Sequence, residues 1–410
     1  MNRVLLVCVF ILIPLSAIHV DVFYYTNIQY TFLYNRYRNT SFQTYPLLGY
    51  PSQKEWISLP VLHSFTNGFF AGIFWNLMEI NATDITLQKA TDLMLPLAPV
   101  ANLTDTHDVG FVIMSSFGHA YRLFNIPEYL KIIETAAASL STRYSPIVRC
   151  TRSWNSPEGF LVIIDNMMNL ELLFEASNRT NNRTWHEIAW QHANRTMYEH
   201  FRPNNSTYHV VEYNETDGNV IRKYTAQGIT KCFQKYRHHL LLLFFFLGYA
   251  NWSTWSRGQA WAVYGFTVAY RYSEHVPFLD KAIGAANYFL SQLEIVTDMI
   301  PYWDFDAPHN STIAYQPRDT SAAAIFASGL IELSGYVATE ELKDLYLLSA
   351  KMIVNQLTQP NYFIFGHTDY AINALIANGT QGPYPEKPFD VATIFGDYYL
   401  TETVLRLSKL

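Results

Sequence analysis

Asp165 stands in the run Ile163-Ile164-Asp165-Asn166-Met167-Met168-Asn169-Leu170, a carboxylate in otherwise core-like material. Upstream, Ser156, Pro157 and Glu158 read as a helix N-cap, a first-turn proline and a dipole-matched acid, which predicts a helix over 157–176. Asp165 then lies near its middle, on one face with Leu161, Met168, Asn169 and Leu172, directed inwards. Burial there opposes ionisation, and a carboxyl group with a raised pKa is what a general acid needs near neutral pH. Asp108, in Thr106-His107-Asp108-Val109-Gly110-Phe111, falls in the first turn of a helix capped by Asp105 or Thr106. The free N–H groups of such a turn favour the ionised form. Two carboxyl groups biased to opposite protonation states suit an acid/base site. Each alone also has a plain structural reading: a buried acid satisfied by a neighbouring amide, and an acid matched to a helix dipole.

Trp255-Ser256-Arg257-Gly258-Gln259-Ala260-Trp261 is the densest polar and aromatic cluster. A guanidinium is a two-pronged match for a carboxylate, and a tryptophan one turn further along can cover the apolar face of a sugar ring. Phe65-Thr66-Asn67-Gly68 and Arg318-Asp319-Thr320-Ser321 likewise place polar groups at helix starts, which favour those residue types in any case.

The elements that must position these residues are mostly helices. Periodicity and cap signals predict segments at about 66–80, 85–98, 107–125, 127–142, 157–176 and 183–201, then 257–273, 276–294, 319–336, 339–357, 367–378 and 393–409. Twelve segments form six helical hairpins, compatible with a toroid of inner and outer helices or with a solenoid. One interruption is β: His209–Tyr213 and Val220–Tyr224 flank Asp217-Gly218, a hairpin signal expected at the rim of a helical body. Another, Gly228 to Leu247, has a basic start and eight consecutive Leu or Phe residues from Leu240, with neither period.

The chain has 410 residues, half of them hydrophobic, and a net charge of -6, enough for one large core. Arg3, the apolar run Val4 to Leu15 and the small residues Ser16 and Ala17 predict a secretory signal peptide over residues 1–20, leaving 21–410 as one domain. Asn-x-Ser/Thr sequons at Asn39, Asn81, Asn102, Asn178, Asn182, Asn194, Asn204, Asn205, Asn214, Asn251, Asn310 and Asn378 add the expectation of a secreted, N-glycosylated protein. Cys8 lies in the leader and only Cys150 and Cys232 remain, so there is no disulfide framework and no thiolate metal site. No phosphate loop and no basic nucleic-acid stripe is present. Aromatic residues make up 16% of the chain, a supply of flat apolar faces that suits a sugar-stacking cleft.

Five motifs together resemble the unsaturated glucuronyl hydrolases, glycoside hydrolase family 88: His107-Asp108-Val109-Gly110-Phe111, Ile164 to Leu170, Trp255 to Trp261, Asp319-Thr320-Ser321-Ala322-Ala323-Ala324-Ile325 and Gly396-Asp397-Tyr398-Tyr399. They keep the family's order over nearly the whole mature chain. The resemblance implies an all-α (α/α)6 toroid of six helical hairpins with a small β-hairpin at the rim. It implies removal of 4,5-unsaturated glucuronic acid from the non-reducing end of lyase-generated oligosaccharides, by hydration of the C4–C5 double bond rather than by paired-carboxylate hydrolysis. Asp165 would protonate C4 and then help water add at C5, while Asp108 stays ionised and positions the ring. His107, His209, Gln227, Arg257, Trp261, Asn67 and Trp154 would line the substrate pocket. The resemblance implies no metal or organic cofactor, and the expected partner is the oligosaccharide alone, with no nucleic acid and no stable membrane insertion.

The sequence departs from the family at two places. Phe65 stands where the family commonly has tryptophan, and Gln227 is separated from Gly248-Tyr249. Removing residues 228–247 restores Thr225-Ala226-Gln227-Gly248-Tyr249, so this stretch reads as a non-native insertion, a retained intron or splice product. Two other readings remain: an unsaturated rhamnogalacturonyl hydrolase, and a catalytically impaired glycoprotein that binds uronate oligosaccharides without turnover.

Overall fold

The computed structural model describes residues 15–62, 64–156, 159–225, 248–308, 315–364, 372–382 and 388–410, with side chains from residue 22 onwards. Gln227, the whole stretch 228–247 and residues 1–14 of the expected leader lie outside the described residues.

Two kinds of helix follow from two sequence patterns. Helices α3 (Asp84–Met94), α6 (Pro127–Ser141), α8 (Arg183–Glu199), α10 (Val276–Leu293) and α12 (Glu340–Leu357) bury one stripe each, as in α10, where Phe278, Ala282, Ala285, Ala286, Phe289 and Leu293 recur at helical spacing. Helices α2 (Asn67–Ile80), α9 (Ser256–Ser273), α11 (Thr320–Ser334) and α13 (Ile394–Ser408) are apolar or small-residued nearly all round and are buried nearly all round. So is the rod of α4 (Val109–Ile113), a π-helical turn (Met114–Gly118) and α5 (His119–Phe124). A helix without a polar face must be enclosed by others. The fully buried helices therefore form an inner ring, α2, the α4–α5 rod, α7 (Asn166–Thr180), α9, α11 and α13, which closes on α2. The one-striped helices surround it, so the chain is an (α/α)6 toroid.

Each inner helix returns through an antiparallel outer one, so the inner helices run parallel. Their N-termini meet at one mouth and their C-termini at the other. At the far mouth Arg271 and Arg406 bridge Glu332 at 2.7 and 3.0 Å, and Glu79 accepts from His119 at 2.6 Å and from Arg122 at 2.8 Å. Basic groups there match the negative helix ends.

Most expected helices are present within two residues of their ends, and three segments differ. The segment 85–98 is α3 followed by a 3-10 helix, Leu95–Asn102, because Pro96 and Pro99 lack the N–H that α-helical pairing needs. The described part of 367–378, residues 372–378, is not helical; Asn373 and Asn378 take left-handed backbone, and Ile376 pairs with Phe363. In its place the twelfth element of the toroid is α1 (Leu15–Arg38), whose Tyr30, Leu33, Tyr34 and Tyr37 are buried as it packs over α13 and α2.

The third segment that differs carries Asp165. Residues 157–176 are not one helix: Phe160–Ile163 is a strand, α7 begins at Asn166, and Asp165 is its N-cap. The apolar run before Asp165 pairs with the expected hairpin instead. The other strands are β1 (Thr44–Tyr50), β2 (Glu55–Pro60), β3 (Tyr144–Ser145), β4 (Cys150–Thr151), β6 (Val210–Tyr213), β7 (Val220–Tyr224) and β8 (Ala392–Thr393), with Phe160–Ile163 as β5. Strands β5, β6 and β7 form an antiparallel sheet in which Ile163 faces Val210, and this pairing sets Asp165 beside His209. Among the described residues no helix is long and apolar enough to cross a membrane.

Candidate active site

At the N-terminal mouth Asp165 Oδ2 lies 3.5 Å from His209 Nε2, with the histidine side chain 1% and the carboxylate 13% exposed. That oxygen and both ring nitrogens of His209 are buried and make no hydrogen bond among the described residues. His209 packs against Trp255, ring centroids 4.9 Å apart. Buried polar atoms left unpaired cost free energy. A cluster of them at a mouth therefore marks where a polar ligand completes the bonding.

Asp108 is the N-cap of α4, and its environment differs from that of Asp165. Oδ1 lies 3.2 Å from His107 Nε2, and Oδ2 accepts from the Thr106 hydroxyl at 3.1 Å. His107 is held by its Nδ1 contact of 2.6 Å to the Ser153 carbonyl. Burial, the leading cause, pushes the Asp108 carboxyl above its ordinary value; His107, Thr106 and Arg143 pull it down, and negative Asp165 adds to the rise. The helix start would favour ionisation of Asp108, but burial in the assembled ring opposes it, a cause that near neighbours in the sequence do not show.

The backbone under both acids is tied by one buried network. Ser153 Oγ donates to Asn166 Oδ1 at 2.6 Å and accepts from the N–H of Ile163 at 2.8 Å. Asn166 Nδ2 donates to the Thr151 carbonyl at 3.0 Å, and the Thr151 N–H donates to His192 Nδ1 at 2.9 Å. These residues carry no sequence signal beyond their type, since their roles depend on contacts far apart in the chain.

The remaining expected residues divide. Trp154 bridges to Thr106, and its ring sits 6.4 Å from that of His107, at the mouth. Asn67 opens α2; its amide donates to the carbonyls of Pro60 and Val61 at 3.0 and 2.8 Å, and its Oδ1 is buried and unpaired among the described residues. The Arg257 fork is committed within the protein, to Asp319 at 2.6 Å, Ser321 at 3.2 Å and the carbonyls of Thr380 and Gln381 at 2.7 and 3.2 Å. Trp261 is buried in an aromatic core with Phe111 and Tyr399, at 5.2 and 5.4 Å. The structure thus brings Asp108, Asp165, His107, His209 and Trp154 to the mouth, and places Arg257 and Trp261 in the layer that supports it. A cavity of about 240 Å³ adjoins Asp108 and His107, its far wall formed by Val61, Leu62, Val100 and Leu103.

The chain is 35% identical over 84% of its length to an unsaturated glucuronyl hydrolase of Formosa agariphila, 80% of which is covered. The chain belongs to the unsaturated glucuronyl hydrolases. An unsaturated chondroitin disaccharide hydrolase of Streptococcus agalactiae is 28% identical over 84% of the chain and 81% of the relative. Among solved structures, an unsaturated glucuronyl hydrolase specific for heparin superposes with a TM-score of 0.84 at 30% identity, covering 96% of this chain and 99% of that one. No protein-family model matches. The toroid of this unsaturated glucuronyl hydrolase is thus shared with a solved relative along nearly its whole length.

Proposed function

We propose that the chain releases 4,5-unsaturated glucuronic acid from the non-reducing end of lyase-generated glycosaminoglycan oligosaccharides, with Asp165 as the acid and base. The supporting observation is that Asp165 Oδ2 and both His209 ring nitrogens are buried and unpaired side by side, whereas Asp108 Oδ2 accepts from the Thr106 hydroxyl and Oδ1 lies 3.2 Å from His107 Nε2. The less committed carboxyl is the one suited to proton transfer. Asp165 gives its proton to C4, positive charge develops at C5, and water adds there as its proton passes to the Asp165 carboxylate. The resulting C5 hemiketal opens, which leaves C1 as a hemiacetal that expels the rest of the oligosaccharide. Asp108, close enough to feel the charge of Asp165, positions the ring and offsets the developing positive charge.

The same reading includes export and N-glycosylation. Asn39, Asn81, Asn102, Asn178, Asn182, Asn204 and Asn251 are all exposed, as glycan acceptors must be. It also includes the view that residues 228–247 are foreign to the working enzyme. A Cβ on Gly248 would stand 2.3 Å from Thr225 Cγ2, so the described ends of this stretch lie against each other and the two residues Ala226 and Gln227 suffice to join them.

The test follows the ultraviolet absorbance of an unsaturated chondroitin disaccharide with secreted protein lacking 228–247. The expected result is loss of absorbance, reduced about 10²- to 10⁴-fold by Asp165→Asn with binding retained. Full activity of Asp165→Asn, or a folded protein that binds the disaccharide without consuming it, overturns the assignment.

A further inference from the structure

We propose that Asn169 is a positioning residue: it performs the helix-capping task that would otherwise occupy Asp108, and so releases the Asp108 carboxyl to the mouth. This inference rests on the proposed role of Asp108 in the site.

An aspartate at an N-cap normally turns its side chain back to accept from the N–H of the second or third helical residue. The first turn of a helix has four such donors without partners. Asp108 is the N-cap of α4, and Phe111 is the third residue of that helix, yet Asp108 makes no capping bond. The Phe111 N–H donates instead to Asn169 Oδ1 on the neighbouring inner helix α7, at 2.7 Å. Asn169 is 1% exposed, and its amide group also reaches the main-chain oxygen of Asp165 at 3.4 Å. One side chain therefore touches the helix start that carries Asp108 and the residue that is Asp165. The close approach has a local cause: a Cβ on Gly110 would stand 2.6 Å from Asn169 Cα, so only glycine lets α4 and α7 meet here.

Without the Asn169 acceptor the Phe111 N–H is buried and unpaired, and the nearest remedy is the Asp108 carboxyl, turned away from His107 and Thr106. That turn takes a reacting group out of place, and a bond from a backbone N–H favours the ionised carboxylate. The charged and titratable groups that act on Asp108 are His107, Asp165 and Arg143. None of them is itself replaced by a change at Asn169, and only Asp165 is touched by that side chain, through its main-chain oxygen.

Two variants decide the matter, Asn169→Ser, which shortens the acceptor out of reach at little cost in packing, and Asn169→Asp, which keeps it. The readouts are steady-state turnover of the unsaturated chondroitin disaccharide and the carbon-13 carboxyl titration of Asp108 in the resting protein. For Asn169→Ser the expectation is a fall in kcat of about 10²-fold with KM within threefold, and a lowered Asp108 midpoint. For Asn169→Asp the midpoint stays at or above that of the unchanged protein. An unmoved midpoint with unmoved kcat in Asn169→Ser, or a lowered midpoint in Asn169→Asp, overturns the proposal. If the unchanged protein consumes no substrate, the proposed function fails, while the titration still tests Asn169.

Discussion

Replacing Asp319 should separate two tasks that one buried side chain performs. Its Oδ2 meets Arg257 at 2.6 Å, with the two side chains 0% and 4% exposed. Its Oδ1 caps α11, accepting from the N–H groups of Ser321 at 3.1 Å and Ala322 at 3.4 Å. Asp319→Asn keeps a capping oxygen but leaves the guanidinium without its counter-charge, which costs about 3–5 kcal/mol for a buried pair. Asp319→Ala loses the cap as well, about 1 kcal/mol more. The backbone carbonyls of Thr380 and Gln381 still hold the fork, so Asp319→Asn belongs at the lower end of its range. Urea unfolding with unchanged slope measures both, and a cycle with Arg257→Met should return a coupling of about 1–3 kcal/mol. A stability of Asp319→Asn within about 1 kcal/mol of the unchanged protein, or an additive cycle, refutes the assignment of both tasks to Asp319.

Burial holds His192 down to about 3 in the fold against 6.5 in the unfolded chain. Between those values the unfolded state binds the extra proton, so stability falls as pH drops through the window. His192→Asn, which retains an acceptor for the Thr151 N–H, should flatten the plot of unfolding free energy from urea melts against pH by one proton's slope between pH 6 and 4, roughly 1.4 kcal/mol per unit. Burial pushes Asp397 up to about 7, partly offset by its bond from Tyr30 at 2.6 Å and the N–H groups of Leu375 and Ile376. Tyr30→Phe should therefore cost about 1–3 kcal/mol above pH 7, where the carboxylate is charged, and less near pH 5; an equal cost at both would contradict it. Gly110→Ala must push α4 from α7, with a loss of about 1–3 kcal/mol and a fall in turnover larger than the fall in thermal stability would explain, read by kinetics well below the melting range.

What the sequence disclosed was whatever depends on near neighbours. The outer helices were legible because a stripe such as Phe278 to Leu293 has one period, and the hairpin because Asp217-Gly218 fits one turn. The stretch before Asp165 was misread because Ser156-Pro157-Glu158 imitates a helix start, while Leu161-Val162-Ile163 suits either structure, and pairing with Val210 and Val211 decides it from fifty residues away. Asp165 and Asp108 were singled out from their motifs, and both lie at the N-terminal mouth. The electrostatic bias of Asp108 was not, since burial is a property of the assembled ring. Ser153 and His192 gave no signal, and Asn166 and Asn169 showed only as neighbours of Asp165 in its motif, because each acts through bonds to another element. The segment α1 looked like part of a leader at its start, and only its buried tyrosines, seen against α13, show it to be part of the body.

The inner helices close into a ring with α1 laid across the seam between α13 and α2, and this gives the chain the mechanics of a keystone arch. A stack of repeats can fray from either end and keep its middle. Here the first and last described helices clasp each other, and no inner helix has a bare flank from which melting could start. Loss of α1 or α13 uncovers flanks on two other helices at once, so unfolding should be a single all-or-none event that takes the acid pair with it.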